Sequence, residues 1–409
     1  MIRLLSNYPF SGTALLPFRG ITLGLVLACL LSSDISLAQD GLDAHPVRLA
    51  GSSPLLTDSP VWDGRMVGCA AARNWQPSVA IEQRRRTLMR LYCDEQDPCV
   101  CAAVNAMSTF LHLQAERQRD VGAATALKAY YSRIAVAEQL QILQQAETLN
   151  KEQANKQQAL QRQGLAAQVD MSEFDRQKLS LLDQRIQLES RDRQLRDALD
   201  ELTCVMIDYD QSEQETLEVF RSPLDRDRLI QFGLSRRTDL IAWQHLSHHV
   251  TDASAPIFAK LLGGSVAGAI PLPLGTGLKA ILCPPDFNCL CSSVKQEIKQ
   301  VVRIQSDVIR KEVRDHTYAL ELAYERIEIA KEVVSSWQDR LSQLEELDSK
   351  GSGRPKERTL AASALLDSKT KLIQRRVEAR LAEVDLAESV GALTQRCCAG
   401  QPWLVTGYE

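Results

Sequence analysis

The sequence predicts a mainly α protein built as two tandem, long antiparallel helical hairpins, a duplicated coiled coil with little or no β structure. Three observations carry that prediction. Aromatics make up 5% and charged residues 24% of the 409 positions, and long blocks filled with Gln, Glu, Arg, Leu and Ala are the composition of extended helices rather than of mixed domains. Apolar residues recur every seventh position through these blocks, which is the period of a coiled-coil seam. The same succession of landmarks then appears again in the second half of the chain.

The N-terminus reads as an export signal over residues 1–38. Arg3 and Arg19 precede an apolar run from Gly20 to Leu31, and Ser36-Leu37-Ala38 offers small residues where a signal peptidase reads, ahead of Gln39. Two alternatives stay open: a retained anchor, for which the run is short of the ~20 apolar residues a span needs, and a lipid on Cys29 through the imperfect lipobox Val26-Leu27-Ala28-Cys29. Residues 39–92 read as an extended leader with short elements, NWQPSVAI as a strand and EQRRRTLMRLY as a helix with a basic face.

The first hairpin repeat spans residues 93–204. It opens on Cys93, Cys99 and Cys101 and continues as a helix from Ala102 to Gln163 with no proline and a single glycine, Gly122. At ~1.5 Å per residue such a helix is about 90 Å long and demands a partner along its length. That partner follows Gly164, where Phe174, Leu181, Leu188, Leu195 and Leu202 form the seam, with Leu182, Ile186 and Leu199 beside it. Residues 205–282 hold a connector, a helix from Leu229 to Val250, and an apolar Gly/Pro-rich stretch from Leu261 to Leu282.

The second repeat spans residues 283–395, and a tail, 396–409, ends the chain. Cys283, Cys289 and Cys291 copy the first cysteine spacing at an offset of 190. Tyr131 to Ala137 is echoed by Tyr324 to Ala330 at 193, Gly164 by Gly351 at 187, and Leu181-Leu-Asp183 by Leu365-Leu-Asp367 at 184. Val313, Leu320, Ile327, Val334 and Leu341 form one seam, paired with Ala323, Ala330, Trp337 and Leu344; Leu365, Leu372, Ala379, Leu386 and Leu393 return along it. Four landmarks in one order at nearly one offset indicate an internal duplication.

No catalytic constellation stands out. The chain has no P-loop, no G-x-G-x-x-G and no G-x-S-x-G, so it reads as a non-enzyme without cofactor. A formal net charge of -4 gives no basic surface for nucleic acid. His245 and His249 share a helical face at a spacing that zinc sites use, but no third ligand is near, and a solvated polar face explains them. Cys93, Cys99, Cys101, Cys283, Cys289 and Cys291, with the tail's Cys397 and Cys398, are disulfide candidates in an exported chain; six thiolates holding zinc or an iron-sulfur cluster is the alternative. Asp170, Glu173, Asp175 and Glu357 read as acidic residues at helix starts, favoured by the helix dipole.

Two tandem hairpins, each with a glycine followed six positions later by an acid, resemble the TolC-like outer-membrane efflux proteins. Arg237-Thr-Asp-Leu240 is similar to that family's R-P-D-L, with Thr238 in place of proline. The resemblance implies a homotrimer whose twelve helices enclose a periplasmic duct, working with a periplasmic adaptor protein and an inner-membrane pump in export of small molecules or polypeptides. It implies that Gly164, Asp170, Asp175, Gly351 and Glu357 lie at the periplasmic entrance. It also implies two membrane strands ahead of each long helix, and here the sequence departs. No pair of alternating segments precedes Cys93, and Pro271 and Pro273 interrupt the stretch before Cys283. The expectation is therefore an efflux duct in the outer membrane or periplasm with reduced membrane strands; the alternative is a periplasmic coiled-coil scaffold that kept the hairpins and lost the pore. Peptide sequencing of the exported protein is expected to give an N-terminus at Gln39; a blocked, lipid-modified Cys29 would replace that reading with the lipid anchor.

Overall fold

In a computed structural model, the described residues are 63–92, 96–163, 172–207, 223–252, 287–350 and 354–394, with isolated connector positions at 216–219, 221, 254, 255 and 258. They form helices α1 (Gly64–Asn74), α2 (Gln76–Leu91), α3 (Pro98–Arg162), α4 (Ser172–Thr203), α5 (Arg226–Arg236), α6 (Thr238–His249), α7 (Phe287–Ser349) and α8 (Pro355–Ser389). No strand occurs among the described residues. The proposed signal, the hairpin loop at Gly164 and Asp170, Gly351, the Leu261–Leu282 stretch and the C-terminal tail lie outside them.

Both hairpins form as the heptads predict. Helix α4 packs back along α3, and α8 along α7. The antiparallel register of the first pair is visible in Asn150, whose Nδ2 donates to the Phe174 carbonyl at 3.3 Å, and in the Arg185–Glu147 ion pair at 2.5 Å. In the second, Val313, Leu320 and Ile327 are buried with Ala379 and Leu386 in one cluster. The first seam is shallower: Phe174, Leu181, Leu188, Leu195 and Leu202 are half-buried, while their predicted neighbours Leu182 and Ile186 are 47% and 55% exposed. Trp337, placed on the second seam by its spacing, is likewise 36% exposed.

The hairpins join through α3 and α8. Lys128 pairs with Asp385 at 2.5 Å, Arg117 with Glu388 at 2.9 Å, and Asp120 accepts from both the backbone N–H and hydroxyl of Thr394 at 2.8 and 2.7 Å. These contacts set the end of α8 beside the first half of α3. The start of α8 and the end of α3 therefore run toward the same end, and both hairpin tips share it.

Three local expectations are corrected. The segment NWQPSVAI is not a strand: α1 and α2 run through it, broken only at Trp75, because Pro77 enters at a first-turn position where its missing N–H costs nothing. The helix expected from Leu229 to Val250 is two helices, interrupted at Arg237. The first long helix begins at Pro98 rather than Ala102, since Asp97 caps it by accepting from the Cys99 N–H at 2.8 Å.

These corrections reveal a longer repeat than the sequence landmarks showed. Asp63 caps α1 by accepting from Met66 N–H, and Asp225 caps α5 by accepting from Arg228 N–H. Each of these helices has 11 residues and stops at one extended residue: Trp75 at φ -60, ψ 110, and Arg237 at φ -61, ψ 111. Trp75 sits against Gly122, where an added Cβ would lie 2.8 Å from the Trp75 side chain. The matching contact in the second half is Arg237 on Glu312 at 2.5 Å. Even the ends agree: past α4 Cys204 takes φ 55, and past α8 Gly391 takes φ 68.

Gly391 is in the left-handed region and its Cα faces the Arg237 backbone, where a Cβ would meet Arg237 Cα at 3.3 Å. Gly391→Val is expected to cost about 1–3 kcal/mol through backbone strain and crowding, read as a lower urea midpoint with unchanged slope.

Candidate functional site

The tips that the sequence singles out are only partly described. Asp175 is exposed in the first turn of α4, with Glu173 beside it, where the helix dipole favours acids. Glu357 is half-buried in the first turn of α8 and accepts from Arg340 Nη2 at 2.9 Å and Arg354 Nη1 at 3.2 Å. Arg358 adds a pair with Asp348 at 2.8 Å across the same turn. Glu357 therefore braces α8 against α7 through pairs of a kind that contributes ~0–1 kcal/mol at a surface.

A denser site lies where the two repeats meet, at the Arg237-Thr-Asp-Leu240 break. The extended backbone of Arg237 lets its side chain turn inward, and only 4% of that side chain is exposed. Its Nη2 donates to Asp239 Oδ2 at 2.6 Å and its Nε to Oδ1 at 3.0 Å, a two-pronged pairing; its Nη1 donates to Glu312 at 2.5 Å. Asp239 also accepts from Gln305 Nε2 at 2.7 Å and from the Leu240 N–H at 3.0 Å, with Arg117 at 3.9 Å. Arg117 in turn holds Glu388. One cluster thus ties α3, α6, α7 and α8 together. Burial alone would raise the Asp239 pKa, but the hydrogen bonds and charge of Arg237 outweigh it and hold the carboxyl below its ordinary value. Asp120, on α3 nearby, goes the other way: burial raises it against the two Thr394 hydrogen bonds.

Beside this cluster the connector crosses the α3–α8 junction. Leu217 is fully buried, Glu138 accepts from its backbone, and Arg380 donates to the Thr216 and Glu218 carbonyls while standing over the Tyr131 ring. Arg380 also pairs with Glu383, which accepts from Tyr324 at 3.1 Å.

The far end collects the starts of α3 and α7 and the end of α6. Ala103, Met107, Phe110, Trp243, Leu246 and Cys291 share one core there. Cys99 is exposed, Cys101 half-buried and Cys291 buried. Cys69, which the sequence candidates omit, is disulfide-bonded. Cys93, Cys283, Cys397 and Cys398 lie outside the described residues, as does the side chain of Cys289. His245 and His249 stack with ring centroids 4.2 Å apart, and burial, then each other's charge, lowers the His245 pKa. Among the described residues no group of three or more metal-ligating side chains gathers, and no described helix is long and apolar enough to cross a membrane.

Sequence reasoning found Arg237 and Asp239 through one short motif but missed Arg117, Gln305, Glu312 and Glu388. Only the packing of α6 on α3 and α7, and of α3 on α8, brings those together.

No protein-family model and no curated protein matches the sequence. Solved structures do. The open-state MtrE outer membrane channel of Neisseria gonorrhoeae aligns with TM-score 0.60 at 12% identity, covering 81% of this chain and 89% of that one. The Campylobacter jejuni CmeC outer membrane channel aligns at 0.58 and 10%, covering 80% and 86%. A membrane protein from Pseudomonas aeruginosa aligns at 0.58 and 13%, covering 87% and 97%. The chain shares the TolC-like fold of these channels.

Arg237→Met is expected to destabilise the chain by about 3–5 kcal/mol, because it strands the Asp239 carboxylate in the interior. The pH dependence separates the two acids. Asp239's contribution is present above about pH 3.9, its unfolded value, and is lost as the pH falls through its depressed folded value. Asp120 contributes most below about pH 3.9 and loses that contribution as the pH rises through its raised folded value, so Asp120→Asn, which keeps an acceptor for Thr394, is expected to gain stability relative to the parent toward about pH 7. Urea titrations across that range check both.

Proposed function

We propose that the chain is the protomer of an exported efflux duct of the TolC-like kind. Three copies close into a helical cylinder in the periplasm at the outer membrane, and cargo reaches it from an inner-membrane pump through an adaptor protein. The hairpin tips, with Gly164, Asp170, Asp175, Gly351 and Glu357, form the entrance, and the protein moves substrate without chemical conversion.

One observation carries this reading. Within the chain α4 packs on α3 and α1, and α7 packs on α8, α5 and α6, so α4 and α7 are the lateral edges of the four-helix sheet. Both edges carry exposed apolar rows: Leu179, Leu182 and Ile186 on α4, and Ile304, Val308, Leu322, Ile329, Val333 and Trp337 on α7. Residues three and four apart share a helix face, and burying such a side chain contributes about 1.5–3 kcal/mol. An α4 edge against the α7 edge of the next copy covers both rows and repeats head to tail, a contact that makes a ring when the rotation closes. The fold shared with solved outer-membrane channels supports the same arrangement.

A second reading has its own support. Six residues, 92–97, join α2 to α3, whereas 37 residues, 250–286, join α6 to α7. Two membrane strands need ~9–11 residues each, so the first link has no length for them. A periplasmic scaffold with the hairpins and without a pore fits that link.

Ile329→Glu combined with Val333→Glu is expected to shift the purified protein from three chains to one by sedimentation, with helicity unchanged. Conductance in planar bilayers then separates the readings: discrete channel steps by the parent protein favour the duct, and an assembled but silent trimer favours the scaffold.

A further inference from the structure

The disulfide at Cys69 is a bond that neither the efflux reading nor the sequence landmarks account for. Cys99, Cys101, Cys204 and Cys291 keep their thiols, so the partner is one of Cys29, Cys93, Cys283, Cys289, Cys397 and Cys398. The described helices select among these by distance, because the two Cα atoms of a disulfide stand within ~7 Å of each other.

Cys69 sits in the middle of α1, between Val67 and Ala71, which share a core with Ala123, Leu127 and Tyr130 of α3. Trp75, further along the chain, lies against Gly122 and donates from Nε1 to Gln118 at 3.4 Å. From there α2 runs away toward the start of α3, passing His112 with Glu82 and Ser108 with Arg85. Its 16 residues are ~24 Å long, so Cys93, next after Tyr92 in the chain, is far out of reach. Cys291 packs with Ala103 and Met107 at the start of α3, ~24 Å or more from the level of Ala123. Cys289 is half a turn before Cys291 on α7 and is out of reach with it. Cys283 precedes Phe287, where α7 begins, by a length of chain that spans at most ~14 Å, which does not close the gap. Cys29 belongs to the segment read as the export signal.

The tail pair remains, and the described end of the chain leads to it. Thr394 is bonded twice to Asp120, within one turn of Gly122 on α3, and Leu393 lies in the same core as Val67 and Ala71. Cys397 and Cys398 follow Thr394 closely in the chain, within a reach of ~10–14 Å. The flank of α1 agrees. Asn74 donates to the Thr203 carbonyl at 2.5 Å and so faces α4, and Cys69 is ~140° away from it around the helix. Cys69 therefore stands on the side of α1 turned from α4, across α3, toward the end of α8. The equivalent position in α5, counted from the matching caps Asp63 and Asp225, is Gln231, so the second half carries no cysteine there.

We infer that Cys69 is joined to Cys397 or Cys398, and that this bond straps the start of the first half to the end of the second. Its formation takes two protons and two electrons from two thiols, and in an exporting compartment a disulfide-bearing oxidant accepts them and leaves as a dithiol. The strap closes a loop of about 330 residues, and its main effect falls on the unfolded chain, whose freedom it restricts. The bond lies within one chain and does not depend on the duct or on the number of copies.

Mass-spectrometric peptide mapping of the full-length protein, purified after export and digested without reductant, is expected to give a cross-linked pair joining Cys69 to the segment with Cys397 and Cys398. A link from Cys69 to Cys29, Cys93, Cys283 or Cys289, a link between two chains, or Cys69 recovered as a thiol would overturn the assignment. In the double variant Cys397→Ser, Cys398→Ser, Cys69 is expected to take up an alkylating reagent in urea without reductant, and continued resistance there would sink the assignment too. Reductant is expected to lower the urea midpoint further in the parent than in Cys69→Ser; equal drops would overturn the strapping role.

Discussion

A buried, two-pronged ion pair between Arg237 and Asp239 holds the molecule together at its middle. Long helices gain little from each other at any one point along a narrow seam; their relative placement must be fixed where several meet. Arg237 and Asp239 do this by drawing Gln305 and Glu312 from α7, Arg117 from α3 and, through Arg117, Glu388 from α8. A buried pair of this kind is no strong source of stability, since desolvation offsets much of its attraction. Its value is geometric, because any other packing leaves a charge without a partner in the interior. Gly391 is part of the same constraint, allowing the chain past α8 to approach the Arg237 backbone.

The two halves solve one architectural problem with different chemistry. Each begins with an Asp-capped helix of 11 residues, stops at a single extended residue, and uses that residue to meet a long helix. In the first half the meeting is Trp75 against a glycine surface at Gly122; in the second it is Arg237 against Glu312. The first is a close fit of a ring onto a residue without a Cβ, the second a pairing of charges. The second half carries the deeply buried seam of α7 and α8 and the first the shallower one of α3 and α4.

Exposure is distributed with the same asymmetry. Exposed apolar residues recur on α4 and α7, the two helices at the lateral edges of the chain. The six-residue link after α2 and the 37-residue link after α6 make the end opposite the tips unequal in the two halves. The helices of the two halves thus correspond closely, while the links after α2 and α6 differ in length.

The sequence by itself determined the hairpins, because a seven-residue apolar period is a local property that any long helix must satisfy by pairing. It determined the duplication as far as Tyr131, Gly164, Cys93 and Leu181 have visible partners. It also marked Arg237 and Asp239 through a short motif, though not what they bind. The helix pair at Trp75 was hidden, since an eight-residue window with Val79 and Ile81 reads as a strand until α3 supplies a surface for it as a helix. Leu182, Ile186 and Trp337 fit the heptads by spacing yet remain exposed, because period alone does not distinguish a seam within one chain from a face left for another. Tertiary structure alone decided the central cluster. Arg117, Asp239, Glu312 and Glu388 are far apart in sequence and are drawn into one cluster only because α3 packs on α6 and α8 while α6 packs on α7, and no local pattern encodes that choice.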